Sequence, residues 1–464
     1  MERLTLKEVV RAVGGKLIRG DGGSDSDGVT GVSTDTRTLQ PGDFFFALQG
    51  ERSDGHEYLR RAFEAGAGGA VISKEEALPP GVEKPVIKVP DVLWVLGELA
   101  KYYRGKFDVQ VIGVTGSVGK TTTKEMLASI LERKWKVLKN AMNFNNEIGV
   151  PLTLFQLERS HHFVVLEMAM RGLGEIRRLA QIAQPSVGVI TNVGITHIGR
   201  LGSQGAIADA KSELLQELPP DGLAVLNAED GYFTLMKDRF GGRVISFGSC
   251  KDADVIGTQI KQSKDGRCRV VILVQGGAIR VSMPILGYYN AYNALAAAAA
   301  AVGLGADLST IRDGLESFAR PVMRMELVKS RWGYVILNDA YNASPASTLA
   351  ALKTLQSLAG YKRKIAVLGD MLELGDYAPK AHRDIGRAAV DSGVGMLVVV
   401  GKLAAGIAEG AKSAGFPETN LRSYPDSIQA AKRLKTQVTD GDAVLVKGSR
   451  AMNMEEIVRV LLSE

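Results

Sequence analysis

The chain predicts an α/β protein of three domains, and three observations carry that expectation. Its 464 residues amount to roughly three domains of ordinary size. Short apolar runs alternate with helical spacing along most of the chain, the pattern of mostly parallel sheets covered by helices. One glycine-rich turn of phosphate-loop type follows an apolar run near the start of the middle region. We expect a small N-terminal α/β unit over residues 1–85, a central P-loop ATPase-like parallel sheet over 86–320 and a C-terminal Rossmann-like unit over 321–464.

In the first unit, Asp43-Phe44-Phe45-Phe46-Ala47-Leu48 and Ala70-Val71-Ile72-Ser73 read as strands. Residues 58–65 have helical spacing and end in glycines. Pro79-Pro80-Gly81 marks a loop. In the second unit, strands are expected over 109–114, 163–166, 187–191, 224–227 and 244–247. It closes with an alanine-rich helix over about 290–302. The third unit repeats the alternation, with strands over 335–338, 365–368, 396–400 and 443–446 and a helix over 384–391. No internal repeat stands out.

Composition narrows the class. The chain is 45% hydrophobic and 23% charged, with a net charge of +6, as in an ordinary globular protein able to bury a large core without staples. The basic residues are scattered, with no block longer than Lys362-Arg363-Lys364, so we expect a solvated surface and no nucleic-acid partner. The N-terminus is charged from the start, and the longest weakly polar stretch, residues 294–306, is too short to span a bilayer. Two cysteines, Cys250 and Cys268, lack metal or redox spacing. These features point to a cytoplasmic protein without an integral membrane segment.

The chemistry starts at residues 111–123, Val-Ile-Gly-Val-Thr-Gly-Ser-Val-Gly-Lys-Thr-Thr-Thr. An apolar strand runs into Thr115, Gly116, Ser117, Val118 and Gly119. Lys120, Thr121 and Thr122 then open a helix. Glycines let backbone N–H groups converge on phosphate oxygens, and the helix N-terminus adds favourable partial charge. Lys120 can reach the β- and γ-phosphates, and the Thr121 hydroxyl can ligate Mg²⁺. The strict motif has glycine where this chain has Val114, so the first useful glycine is Gly116.

Three further residues are weighed against plainer roles. Glu167 ends the apolar run 163–166, where a parallel sheet opens to its ligand. Beside a phosphate loop it suits a divalent cation, and alone it equally suits a helix cap. His197 follows the strand-like 187–191. It can serve metal or phosphate, although a lone histidine is more often structural. Lys211, within a helical stretch, is a surface lysine on spacing alone.

Taken together, residues 115–122, 143–151, Glu167, His197 and Lys211 resemble the Mur ligases in order and spacing. So do residues 33–37 and 42–48 near the start and 445–450 near the end. The resemblance implies ATP as cosubstrate, with a peptide carboxylate activated as an acyl phosphate and an amine then forming the amide. Dense positive charge is needed where two anions meet, and Lys120 with Mg²⁺, two ions by resemblance, would supply it. Lys120, His197 and Lys211 would be the catalytic set. The family pattern implies a carbamylated Lys211, which turns an amine into a metal ligand. Thr121 and Glu167 would serve one cation, and Glu167, His197 and Lys211 the other.

The resemblance also assigns ligand contacts. Asn290 and Asn293 would meet the adenine, with helix N-capping by Asn290 as the plainer reading. Arg324 and Asp339 would reach ATP from the third domain, so that closure completes the site and excludes water. Ser33, Asp35 and Arg37 would lie in a UDP-binding domain, Arg37 as a pyrophosphate partner or equally as half of a loop salt bridge. Asn145 and Asn146 would face the muramoyl peptide or phosphates. Tyr341, Asn342 and Ser344, in the Tyr-Asn-Ala segment, would face the substrate.

Within the family, Tyr341-Asn342-Ala343 and residues 369–375, Gly-Asp-Met-Leu-Glu-Leu-Gly, resemble the member that takes a UDP-N-acetylmuramoyl tripeptide and D-alanyl-D-alanine. The sibling that adds a single amino acid to the dipeptide precursor typically carries Asp-Asn-Pro-Arg, which is absent. A switch-type ATPase is a third reading, and its guanine-selective Asn-Lys-x-Asp run is also absent. We expect a monomer.

Overall fold

The structure is a computed structural model describing residues 1–20, 28–50, 53–141, 143–263 and 266–463. Three sheets of five, nine and six strands follow one another along the chain. A separate two-stranded antiparallel pair joins Leu4–Thr5 and Gly28–Val29, which lie in sequence on either side of the first sheet's strand Lys16–Arg19.

The first sheet runs Lys16–Arg19, Val86–Lys88, Gly69–Ile72, Phe44–Phe46, Val32–Ser33 across its width. All its pairs are parallel except the first. Its second strand, Val86–Lys88, lies beyond the boundary expected at residue 85, which therefore falls too early. Residues after Pro79-Pro80-Gly81 return to the sheet because Val86 and Ile87 are apolar and fully buried. The stretch expected as one helix over 58–65 is a 3₁₀ turn, Gly55–Tyr58, followed by the helix Leu59–Glu64.

The nine-stranded sheet holds every strand expected in the middle region. Seven neighbouring strands, from Val255–Gln262 at one end to Val137–Lys139 at the other, are parallel. Strands Cys268–Val274 and Gly277–Met283 add an antiparallel extension that the alternation did not predict. Cys268–Val274 alternates buried with more exposed residues, as a one-sided antiparallel strand does, while Gly277–Met283 does so only toward its end. The strand Gln110–Thr115 lies between Phe163–Glu167 and Val187–Ile190. The chain turns to one side after it and later to the other, so its C-terminal end is the topological switch point where α/β sheets bind ligands.

The alanine-rich helix is Tyr289–Gly303, and its alanines from Ala294 to Ala301 are fully buried. Alanine favours helix and lets the backbone come close to the sheet. A Cβ on Gly257 would lie 2.6 Å from Leu295. This helix packs on Lys120–Leu131, the helix that follows the phosphate loop.

The third sheet runs Glu326–Lys329, Val335–Asn338, Asp442–Lys447, Arg363–Gly369, Met396–Val400, Leu421–Tyr424. Only the first pair is antiparallel. The two outer strands were not expected. Their residues are mostly half-exposed and give no apolar run. Cys250 and Cys268 are free thiols. Among the described residues no helix is long and apolar enough to cross a membrane.

Candidate active site

The phosphate loop takes its shape from two glycines. Gly116 has φ +148° and Gly119 φ +92°, a backbone that side-chain-bearing residues resist. Space forbids side chains as well. A Cβ at Gly116 would fall 1.9 Å from Thr191 Oγ1, and one at Gly119 2.1 Å from Asn293 Oδ1. Val114, where the strict motif has glycine, is fully buried in the strand and takes no part in the turn.

The next strand's end props the loop from below. Val118 N–H donates to Asn192 Oδ1 (3.0 Å), and Val118 O accepts from Thr191 Oγ1 (2.6 Å) and Asn192 Nδ2 (2.8 Å). Gly194 N–H donates to Ser117 Oγ (2.8 Å). Lys120 folds back over the loop and donates to Gly116 O (2.7 Å). Crowding by protein pulls its pKa down, Glu167 opposes that, and Arg324 adds to it.

Glu167 stands at the cavity floor, 3% exposed. Its Oε2 accepts from Thr121 Oγ1 (2.7 Å) and its Oε1 from Asn145 Nδ2 (2.8 Å). Its backbone is held on both sides by one buried amide. Glu167 N–H donates to Asn140 Oδ1 (2.9 Å), and Asn140 Nδ2 donates to Glu167 O (3.0 Å) and Phe144 O (2.7 Å). The buried Lys124 in turn donates to Asn140 O (2.5 Å). No spacing in the sequence marks Asn140 or Lys124 for this work.

Lys211, a surface lysine on spacing alone, is 2% exposed on the helix Gln204–Gln216. Among the described residues no hydrogen bond or ion pair engages its amine. Burial pulls its pKa well down, nearby Lys120 adds to that, and Asp230 opposes it. Asp230 is fixed by Val193 N–H (2.7 Å) and Tyr232 N–H (2.9 Å).

His197 has φ +65° and opens the short helix Ile198–Leu201. Its Nδ1 lies 2.5 Å from Glu373 Oε2 of the third domain. That nitrogen is buried without an aligned hydrogen bond, so the two groups meet in a close contact only. His197 is the main cause that lowers the Glu373 pKa, with Arg171 and Arg200 contributing.

Asn290 and Asn293 are buried on one face of the alanine-rich helix. Asn293 Nδ2 donates to Asn290 Oδ1 (2.8 Å), and Asn290 Nδ2 to Leu286 O (2.5 Å). Asn290 lies inside the helix, which has no side-chain cap, so the N-capping alternative does not hold. Both asparagines line a narrow cleft with Arg324, Asp339 and Lys447.

Arg324 stacks over the Tyr341 ring at 4.2 Å and sits between two left-handed residues, Met323 (φ +57°) and Met325 (φ +47°). Asp339 accepts from Met325 N–H (3.1 Å) and from the buried Lys447 Nζ (2.5 Å), which also donates to Asn342 O (2.8 Å). Burial lowers the Lys447 pKa while Asp339 opposes the shift. Lys447 lies in the segment 445–450 but had no role from sequence, because Asp339 is distant along the chain.

A larger cavity of about 840 Å³ opens between the second and third domains. Ser117 to Thr121, Asn145, Asn146, Glu167, His197, Arg324, Tyr341, Asn342 and Ser344 all line it. Some also hold local structure. Ser344 caps the helix Pro345–Ser357, and Asn146 accepts from Gly149 N–H (2.9 Å) at the start of Gly149–Leu154. Thr122 lines the narrow cleft instead, and Thr115 and Lys211 line neither cavity.

Ser33, Asp35 and Arg37 do not line the cavity. Arg37 forks onto Asp35, with Nη2 at 2.5 Å. The Arg37 side chain is 77% exposed, and its guanidinium holds the Asp35 carboxyl at a pKa of about 2. This is the loop salt bridge weighed against the pyrophosphate role.

The donor set suits a divalent cation in part. The Thr121 hydroxyl and Glu167 carboxylate already share a hydrogen bond where oxygen ligands are needed. Among the described residues, however, no three His, Cys, Asp or Glu side chains cluster. One more anionic ligand would complete the set, and a carbamate on Lys211 is of that kind.

Family models match nearly the whole chain: the Mur ligase family catalytic domain over residues 28–104, the Mur ligase middle domain over 114–301 and the Mur ligase glutamate ligase domain over 323–450. This chain belongs to the Mur ligase family. A curated relative, the UDP-N-acetylmuramoyl-tripeptide–D-alanyl-D-alanine ligase of Bacillus subtilis, is 37% identical across 100% of this Mur ligase and 99% of its own length. A crystal structure of MurF from Acinetobacter baumannii matches with a TM-score of 0.91 and 31% identity over 100% of both chains. The MurF ligase of Thermotoga maritima in complex with ADP matches with a TM-score of 0.82 and 27% identity, over 93% of this chain and 96% of that one.

Proposed function

We propose that this Mur ligase joins D-alanyl-D-alanine to the UDP-N-acetylmuramoyl tripeptide, with ATP converted to ADP and phosphate, in peptidoglycan precursor synthesis. One observation carries the reading: end-to-end similarity to ligases bearing that name, in a chain whose phosphate loop faces a large cavity shared by two domains. A sibling that adds a single amino acid is the weaker alternative. ATP and a nucleotide-linked precursor are cytoplasmic reactants, and one chain completes the cavity, which favours a cytoplasmic monomer.

Chemically, a carboxylate oxygen of the tripeptide attacks the γ-phosphorus of ATP, and the bond to the ADP oxygen breaks. The amine of the dipeptide then attacks the acyl carbon. The tetrahedral intermediate collapses, phosphate leaves and the nitrogen gives up its proton. The loop N–H groups and Lys120 hold the phosphates against their charge. Arg324, offered from the third domain, faces the same anions, with its guanidinium over the Tyr341 ring. Asn290, Asn293 and Asp339 bind the nucleoside. Asn145, Asn146, Tyr341, Asn342 and Ser344 contact the peptide substrates.

We assign Thr121, Glu167, His197 and Lys211 to Mg²⁺. When bound, the cation shields the meeting anions and polarises phosphoryl oxygens. Burial and the nearby Lys120 lower the Lys211 pKa, which favours the neutral amine; that amine would add CO₂ and release a proton to give the carbamate. We assign Ser33, Asp35 and Arg37 to the UDP end, where Arg37 would exchange Asp35 for pyrophosphate. Phosphate release from ATP with the UDP-muramoyl tripeptide tests the reading. It is expected with D-alanyl-D-alanine and not with free amino acids. Release only with a single amino acid and the shorter precursor would assign the sibling reaction.

A further inference from the structure

Residues 369–375 contain a carboxylate that the proposed reaction leaves without a role. Glu373 lies in the third domain and His197 in the second, yet they meet at 2.5 Å. Both have left-handed backbones, φ +63° and φ +65°, a conformation that non-glycine residues hold only when their surroundings impose it. The two segments touch along their backbones as well. Gly199 N–H donates to Glu373 O (3.3 Å). A Cβ on Gly199 would fall 2.5 Å from Gly375 N, and one on Gly375 2.8 Å from Gly199 Cα. Only glycines allow that approach.

We propose that Glu373 is a positioning residue that orients the His197 ring while the third domain is docked. The inference rests on the ligase reading above. The carboxylate stands against Nδ1, a buried ring nitrogen with no aligned hydrogen bond to any group. A carboxylate held this close to Nδ1 restricts the ring's rotation and leaves Nε2 for the reacting groups. Both residues line the large cavity, and their contact is made between domains, so docking orders the ring and undocking frees it. Docking of the third domain is thereby coupled to the catalytic histidine.

The chain has five histidines, few enough for an imidazole NMR spectrum of the ¹⁵N-histidine-labelled full-length enzyme to resolve. His197→Gln identifies the His197 signals by their loss. Glu373→Gln should shift those signals and leave His56, His161, His162 and His382 in place. Gly199→Val, which blocks the backbone approach, should move the same signals and serves if Glu373→Gln does not fold. In turnover, Glu373→Gln should lower kcat about tenfold or more, with the KM for ATP little changed. The same substitution should add no further loss in the His197→Gln background. Unmoved His197 signals, or an equal loss in both backgrounds, would overturn the proposal. A lack of phosphate release with every muramoyl substrate would reject the ligase reading, and the NMR comparison would still decide the contact.

Discussion

Glu167 shows how much protein is needed to hold one carboxylate in place. Its side chain takes Thr121 and Asn145, and its backbone takes both ends of the Asn140 amide. Lys120→Ala is expected to lower turnover on the order of 10³-fold, the scale of removing a cation from a phosphoryl-transfer site. Lys211→Ala should likewise nearly abolish phosphate release, and full activity in that variant would reject its role as a metal ligand. A stability prediction belongs at Asp339. Asp339→Ala strands the buried Lys447 ammonium, which should cost about 3–5 kcal/mol in urea denaturation. Adding Lys447→Met should recover most of that loss, since no charge then stays buried alone.

At the scale of elements, the helices Leu6–Val13 and Val92–Arg104 are clamped by Glu8. Its carboxylate accepts from Thr5 N–H (2.8 Å) and the Tyr102 hydroxyl (3.0 Å) and pairs with Lys106. Lys106 is the largest of the causes that hold the Glu8 pKa at about 2. A depressed carboxyl stabilises the fold above its unfolded value of about 4.3, and the contribution is lost as pH falls towards 2. Wild type should therefore exceed Glu8→Gln in urea midpoint at pH 6, with the gap narrowing at pH 3. A gap independent of pH would show that the clamp acts through shape alone.

The helix Leu308–Ser317 meets Lys120–Leu131 where a Cβ on Gly314 would lie 2.4 Å from Ile130 Cα. Gly314→Ala should cost about 1–3 kcal/mol by pushing two backbones apart, even though alanine is the better helix former. A stabilised variant would refute the close approach.

For the whole molecule, the nucleotide should bind the folded chain only. Mg²⁺-ADP at a hundred times its Kd should then stabilise the fold by about 2.7 kcal/mol. Lys120→Ala should lose most of that rise in Tm. The cavity belongs to two domains at once, with Arg324 and Tyr341 facing the phosphate loop across it. Its composition could not be assembled from either half of the sequence alone.

The sequence determined the alternation of strands and helices, the phosphate loop, and the residues that chemistry marks by type and place, such as Thr121 beside Lys120 and Glu167 at a strand end. These are local signals: an apolar run, a glycine turn, a carboxylate where a strand stops. Strands without an apolar run, such as Glu326–Lys329 and Leu421–Tyr424, left none. Only the tertiary structure decided which distant groups meet. It buried Lys211 beside Lys120, set Lys447 on Asp339, fastened Asn140 to Glu167 and brought Glu373 against His197. Burial and pairing depend on the packing of whole sheets and domains, and a side chain's neighbours in space leave no mark on its neighbours in sequence.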